Sequence, residues 1–149
     1  QLINNIPLTI THPEMTRFMM TLENAVELVL YAFENGESGD IFVQKAPSST
    51  IGQLAAIMKK IFKSKSVIKN IGIRHGEKMH ETLLSKEERL VSEDLGNYFR
   101  IPSDNRDLNY EKYFDKGLKI DSPEEFNSFN TERLSNESLM NLLASIGYK

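Results

Sequence analysis

Between residues 21 and 73 the apolar residues switch repeatedly between helical and strand patterns, and that switching restricts the fold more than any other feature of the sequence. Leu22, Ala25, Val26, Val29, Leu30 and Phe33 recur on one helical face behind Thr21, a plausible N-cap. Asn35-Gly36 closes that helix, Gly39-Asp40 supplies a turn, and Ile41-Phe42-Val43 is a short apolar run suited to a buried strand. Pro47-Ser48-Ser49 reads as turn-like. Thr50 and Gln53 then have capping-box spacing for a helix that carries Ile51, Leu54, Ala55, Met58, Ile61 and Phe62 inward. After a polar break at residues 63–66, residues 67–73 read as another strand. Helix, strand, helix, strand in that order argues for α/β layers, because each helix must bury its apolar stripe on a neighbouring element.

The flanks add shorter elements. Residues 8–11 and 16–20 are strand candidates, Ser85 and Glu88 have capping-box spacing, and Tyr98-Phe99-Arg100-Ile101 reads as a strand stopped by Pro102. Residues 102–134 are polar with few periodic apolar positions, which suggests a loop or arm contacting a partner. A last helix should follow Ser135, with Leu139, Leu142, Leu143 and Ile146 on one face. The preceding polar stretch offers that face no partner, so it is expected to pack outside this chain. The sequence therefore divides into an α/β part at 1–101 and an arm with terminal helix at 102–149.

Composition bounds the function classes. The formal charge of −3 gives no global sign of a nucleic-acid or anionic-membrane partner. There are no cysteines, which excludes disulfides and thiolate chemistry. No apolar run approaches the roughly 18 residues of a membrane span. The chain opens at Gln1, without Met, directly on Leu2-Ile3, which reads as an excerpt of a longer protein.

Two segments carry candidate chemistry. In Glu14-Met15-Thr16-Arg17-Phe18-Met19-Met20, Arg17 stands among apolar residues just before a helix. In Ile73-Arg74-His75-Gly76-Glu77-Lys78, Arg74 and Glu77 flank a glycine turn after a strand. A guanidinium fork suits two phosphate oxygens, and a nearby carboxylate can accept from a ribose hydroxyl. Two surface salt-bridge arginines would have the same sequence appearance. His80-Glu81 begins like a zinc-protease helix, but Leu84 stands where the second histidine belongs. His75 and His80 therefore read as turn or surface residues, Glu87-Glu88 as a solvated helix start, and Met19-Met20 as core.

The run from Pro7 to Gln53, with IRHGEKMHETLLSKEE from Ile73, YFRIPSDNRDLNY from Tyr98 and FNSFNTERLS from Phe126, resembles capsular polysaccharide biosynthesis proteins of the CapD and CapE type. That resemblance implies the C-terminal part of an extended short-chain dehydrogenase/reductase of Rossmann type: the last sheet strands, a substrate-binding subdomain and an arm. It implies a cytoplasmic homo-oligomer that modifies UDP-sugars for capsule, O-antigen or lipopolysaccharide. The reaction would be 4,6-dehydration of UDP-N-acetylglucosamine with 5-epimerisation or, alternatively, 4-epimerisation of UDP-glucose. By resemblance Arg17 and Arg74 hold the diphosphate, Glu77 faces the ribose, and Lys45, in the loop Gln44-Lys45-Ala46-Pro47, lies near the nucleotide. The family's NAD(P) sits on a glycine-rich turn, and its catalytic tyrosine and lysine lie four residues apart. Neither pattern occurs here: the eight glycines are scattered, and Tyr113 precedes Lys116 at the wrong spacing. The expectation is a UDP-sugar-binding portion that neither binds NAD(P) nor catalyses alone and needs a missing N-terminal Rossmann half. A non-enzymatic nucleotide-sugar-binding or oligomerisation module is the alternative from another class.

Overall fold

The structure, a computed structural model, describes residues 1–103 and 124–148. The chain is α/β, and its packing separates two units that interleave along the sequence. The first comprises the described residues of Gln1–Leu22, Ala46–Thr82 and Asn127–Lys149; the second comprises those of Glu23–Lys45 and Leu83–Phe126. Neither unit coincides with residues 1–101 or 102–149.

In the first unit β1 (Leu8–Ile10) pairs in parallel with β5 (Ile68–Asn70), Leu8 opposite Ile68. β2 (Thr16–Phe18) pairs antiparallel with β4 (Ser48–Thr50), Arg17 opposite Ser49. The residues expected to turn at Pro47-Ser48-Ser49 thus include most of a strand, and Ser48 and Ser49 are fully buried. Their extended backbone is fixed from the far end of the chain: Ser48 N–H donates to Glu132 C=O at 2.8 Å, and Leu134 N–H donates to Ser48 C=O at 2.9 Å. No local signal in Pro-Ser-Ser could foretell that pairing.

α2 (Ile51–Ile61) begins where β4 ends. Thr50 caps it, its Oγ1 accepting from Gln53 N–H at 3.0 Å. Gln53 does not complete a capping box with Thr50. Its amide instead donates to Leu134 C=O at 2.9 Å and to Asn136 Oδ1 at 3.1 Å, at the start of α4 (Asn136–Ser145). α4 packs on α2: Leu139 and Leu143 are buried with Ile57, and Leu54, Met58, Ile61 and Met140 close around them. The expectation of a partner outside the chain is therefore corrected for these two leucines. Ile57, which lies off the stripe assigned to α2 from its period, supplies the missing surface, while Ile146 stays exposed.

The second unit is built on an antiparallel sheet of order β3-β8-β7, from β3 (Ile41–Gln44), β8 (Tyr98–Ile101) and β7 (Glu93–Asp94). α3 (Lys86–Val91) precedes β7 and carries the complete Ser85–Glu88 capping box that the spacing foretells. A separate two-stranded ladder, β6 (Thr82–Leu84) with β9 (Phe126–Asn127), contains residues assigned to each unit. Phe99 of β8 is buried, with the Lys45 ammonium 4.3 Å and the Arg89 guanidinium 4.1 Å from its ring centre. Such cation–π contacts pair charge with an apolar face.

α1 (Leu22–Asn35) turns its side differently from expectation. Tyr31 meets the sheet, stacking on Tyr98 at 4.3 Å and edge-on to Phe42 at 5.7 Å. Val26, Val29, Leu30 and Phe33, assigned inward from their spacing, are all exposed. The helix is apolar on two sides, and periodicity alone selects the longer stripe. At its end Gly36 is required by close approach: a Cβ there would lie 2.6 Å from Ala32 O and 2.9 Å from the Phe42 ring.

Asp40, between α1 and β3, holds this unit's charges. Its carboxylate accepts from Glu37 N–H at 2.9 Å, Arg100 Nε at 2.7 Å and Ser103 N–H at 3.1 Å. The Glu37 N–H above all, then Arg100, hold its pKa below the ordinary 3.8. A depressed folded pKa contributes stability above the unfolded value, which is lost as pH falls through the folded one. Asp40→Asn should therefore melt below wild type at neutral pH, and the difference should narrow as pH drops below about 4. Thermal melts of both proteins across that range measure it; a constant gap would contradict it.

Candidate functional site

The singled-out segments come together in the first unit around a buried hydroxyl. Thr16 opens β2 and is buried; its Oγ1 lies 2.6 Å from Ser128 Oγ and 2.8 Å from His80 Nδ1. Ser128 is fully buried and pairs with Glu81 twice: its N–H donates to Glu81 C=O at 2.8 Å, and its Oγ accepts from Glu81 N–H at 2.9 Å. One self-consistent order satisfies every group, with Glu81 N–H donating to Ser128, Ser128 to Thr16 and Thr16 to His80. A buried hydroxyl without a partner costs about 1–3 kcal/mol, so the three segments are mutually fixed.

Arg17, next along β2, faces the same segment. Its guanidinium donates to Thr16 C=O at 2.6 Å and to Lys78 C=O at 3.1 Å, and lies 3.5 Å from a Glu81 carboxylate oxygen. Its side chain keeps 27% of its surface exposed. The structure thus brings Arg17 against the residue that follows Glu77. Much of its fork is committed to backbone carbonyls, as befits a residue that ties β2 to residues 78–81.

Arg74 and Glu77 form one turn. Glu77 N–H donates to Arg74 C=O at 3.1 Å, while the Glu77 carboxylate accepts from Arg74 N–H at 2.9 Å. Gly76 sits inside it at φ +84°, a conformation that glycine adopts without strain. The turn leaves the Arg74 side chain exposed, without an ion pair among the described residues. One Glu77 oxygen is occupied by the turn, and the other is not needed for it. The pattern is a cation and a carboxylate presented together on one hydrogen-bonded turn.

Lys45 belongs to the second unit. Its ammonium pairs with Asp94 besides covering the Phe99 ring, and that hydrogen bond leads the causes that hold the Asp94 pKa down. His80 is taken up by Thr16, with its ring 4.8 Å from that of Phe129. His75 is exposed. Thr16 and Ser128, on which the arrangement turns, went unremarked in the sequence. Only the placement of a polar residue at the head of the short strand Thr16-Arg17-Phe18 hints at Thr16, and nothing local marks Ser128.

No described helix opens on a glycine-rich turn. α2, α3 and α4 are capped by Thr50, Ser85 and Ser135, and Thr21 precedes α1. The described residues therefore offer no such turn for the pyrophosphate of a dinucleotide cofactor, which needs close backbone approach there.

Comparison with known proteins gives this geometry its context. A protein 56% identical over 99% of this chain, from Rickettsia bellii (strain OSU 85-389), is named UDP-glucose 4-epimerase. One from Rickettsia felis, 55% identical over 95% of the chain, bears the same name. The chain spans only 44% and 42% of those proteins' lengths. Among solved structures, Pen from Bacillus thuringiensis superposes with a TM-score of 0.76 at 30% identity, covering 97% of this chain and 41% of its own. The sequence profile of the polysaccharide biosynthesis protein family matches residues 1–103, and that of the C-terminal region of polysaccharide biosynthesis proteins matches residues 104–148. The chain belongs to the polysaccharide biosynthesis protein family.

Proposed function

We propose that the intact protein is a nucleotide-sugar 4-epimerase acting on a UDP-hexose, and that the first unit supplies part of its grip on the nucleotide diphosphate. The observation that carries this reading is the identity of 55–56%, over nearly the whole chain, to proteins named UDP-glucose 4-epimerase. The Arg74–Glu77 turn supports it chemically. A guanidinium can bind a phosphate through two parallel hydrogen bonds, and a carboxylate accepts from a ribose hydroxyl. Arg17 holds the adjoining residues 78–81 and, through its exposed part, adds positive charge to that face. Lys45 would join the site only if its pair with Asp94 opened. NAD(P) is proposed to sit on residues outside this chain, since no described helix opens on a glycine-rich turn. Product analysis of the intact protein supplied with UDP-glucose and UDP-N-acetylglucosamine tests the reaction. A 4-epimer is expected, whereas a 4-keto-6-deoxy sugar would replace this reading with the 4,6-dehydratase one.

A charge-assisted hydrogen bond contributes about 1.5–3 kcal/mol. Arg74→Ala in the intact protein should thus weaken UDP binding by about one to two factors of ten. Arg74→Lys should recover part of the loss, because charge returns without the fork. Glu77→Gln should cost less, since an amide oxygen still accepts. Calorimetric titration with UDP reads all three, and unchanged affinity in Arg74→Ala would remove Arg74 from the site.

Thr16→Val keeps the shape at the head of β2 and removes the hydroxyl shared by Ser128 and His80. It should destabilise the protein by about 1–3 kcal/mol in urea denaturation, because buried partners lose their hydrogen bonds. A loss under about half a kcal/mol would show that the three segments hold together without it.

A further inference from the structure

Charge is unevenly spread along this chain. No Asp or Glu occurs between Asp40 and Glu77, and lysines gather in that stretch where α2 ends: Lys59, Lys60, Lys63 and Lys65, with Lys69 on β5. Two hydrogen bonds wind the backbone of the first four into one knot. Lys63 N–H donates to Lys60 C=O at 3.1 Å, and Ser64 N–H donates to Lys59 C=O at 3.0 Å. Lys59 is half-buried and the other four lysines are exposed. None of the five is ion-paired among the described residues. Capping does not account for so much charge. A helix C-terminus carries about half a negative charge, which Lys59 and Lys60 in the last turn of α2 already outweigh. Lys63 follows the cap at φ +47°, a conformation that glycine adopts without strain and lysine does not. Its ammonium is thus held there at a conformational cost.

We propose that these lysines, at the end of α2 and the start of β5, form a docking surface for an anionic phospholipid bilayer. Their chemistry favours lipid headgroups over a nucleic acid or an acidic protein. All five cations are lysines, point charges on flexible apolar stems that suit a fluid headgroup layer, whereas paired recognition of phosphodiesters or carboxylates draws on the arginine fork. Val67, 64% exposed between Lys65 and Lys69, offers an apolar tip to the boundary between headgroups and acyl chains. No described helix is long and apolar enough to cross a membrane, so the attachment is peripheral. The whole chain carries a net charge of −3, so attraction is confined to this patch and sets the protein's orientation on the surface. The proposal uses none of the residues assigned to the nucleotide and does not depend on which reaction the protein performs.

Co-sedimentation of the intact protein with vesicles reads the attachment directly. One set of vesicles is phosphatidylcholine alone, and the other is phosphatidylcholine and phosphatidylglycerol in equal parts. Binding is expected only to the second set. It should fade as salt rises from about 0.1 M to about 1 M, where the screening length shrinks from about 10 Å to about 3 Å. Each lysine close to an anionic surface strengthens attachment about fivefold. The triple variant Lys60→Gln, Lys63→Gln, Lys65→Gln should therefore bind about a hundredfold more weakly. Lys63→Gly removes one charge and relieves the backbone, so it should melt no lower than wild type yet bind about fivefold more weakly. That variant carries the test if the triple one fails to fold. Equal binding to both vesicle sets, or full binding by both variants, would overturn the proposal. So would tighter retention on duplex DNA of mixed sequence than on the anionic vesicles, which would assign the patch to nucleic acid. Sedimentation needs no substrate, so a failed epimerase assay leaves this result standing.

Discussion

The first unit depends on a contact between Thr16 and Ser128, hydroxyls 112 positions apart in sequence and 2.6 Å apart in space. The strand that carries Arg17 and the residues that follow the Arg74–Glu77 turn are fastened to them. Thr16 begins the strand bearing Arg17, and its N–H donates to Met79 C=O at 2.9 Å. Ser128 clasps Glu81 from both sides of its peptide. Residues 78–81 are held as a consequence, and the Arg74–Glu77 turn is built against their leading end. Because the hydroxyls are buried, the arrangement is close to all-or-none: loss of one partner leaves the others desolvated and unpaired. Polar contacts give this unit a geometry that its modest apolar core could not specify by itself.

The second unit uses charge where the first uses hydroxyls. β8 alternates, so Phe99 and Arg100 point to opposite sides of the sheet. Phe99 collects the Lys45 and Arg89 cations, while Arg100 collects Asp40, Glu93 at 3.5 Å and Glu37 at 3.9 Å. Only the Asp40 pair combines a short hydrogen bond with a nearly buried carboxylate, 2% exposed. The Glu37 and Glu93 partners are more than half exposed and contribute little, as surface ion pairs do. One strand thereby fixes two neighbouring loops through a single arginine.

Local chemistry was legible and remote pairing was not. The Ser85–Glu88 box, the Thr50 cap, the end of α1 at Asn35 and the strand Tyr98–Ile101 all follow from neighbours in sequence, and the structure has each of them. Ser48 and Ser49 read as a turn because their strand partners lie in β2 and near residue 133. The 3.6-residue period leaves the apolar face of α4 without a partner because Ile57 lies off the stripe it marks on α2. α1 is apolar on two sides, so its period does not say which side meets the sheet. The candidate site shows the same division. Arg74, Gly76 and Glu77 sit within one turn and were read together. The link from Arg17 to Lys78 spans 61 positions, and nothing local to either residue foretells it. Ser128 has no local mark and Thr16 only its place at the head of a short strand, since neither differs from an ordinary surface hydroxyl until the fold brings them together.

The interleaving of the two units has a consequence for how such a chain is made. The ladder on Ser48 waits for residues 132–134, the polar node on Thr16 waits for Ser128, and the core on Ile57 waits for Leu139 and Leu143. A ribosome adds roughly 5–20 residues per second, so the first unit's strands and α2 emerge several seconds before anything can close over them. Over that interval Ile57 and its neighbours are bare, and β4 lacks its hydrogen bonds to residues 132 and 134. Contacts of such long sequence separation also slow the search itself. Truncation near the C-terminus would thus strip the first unit of its closing contacts rather than trim a tail, and nascent chains of this family are expected substrates for chaperones that bind exposed apolar helices.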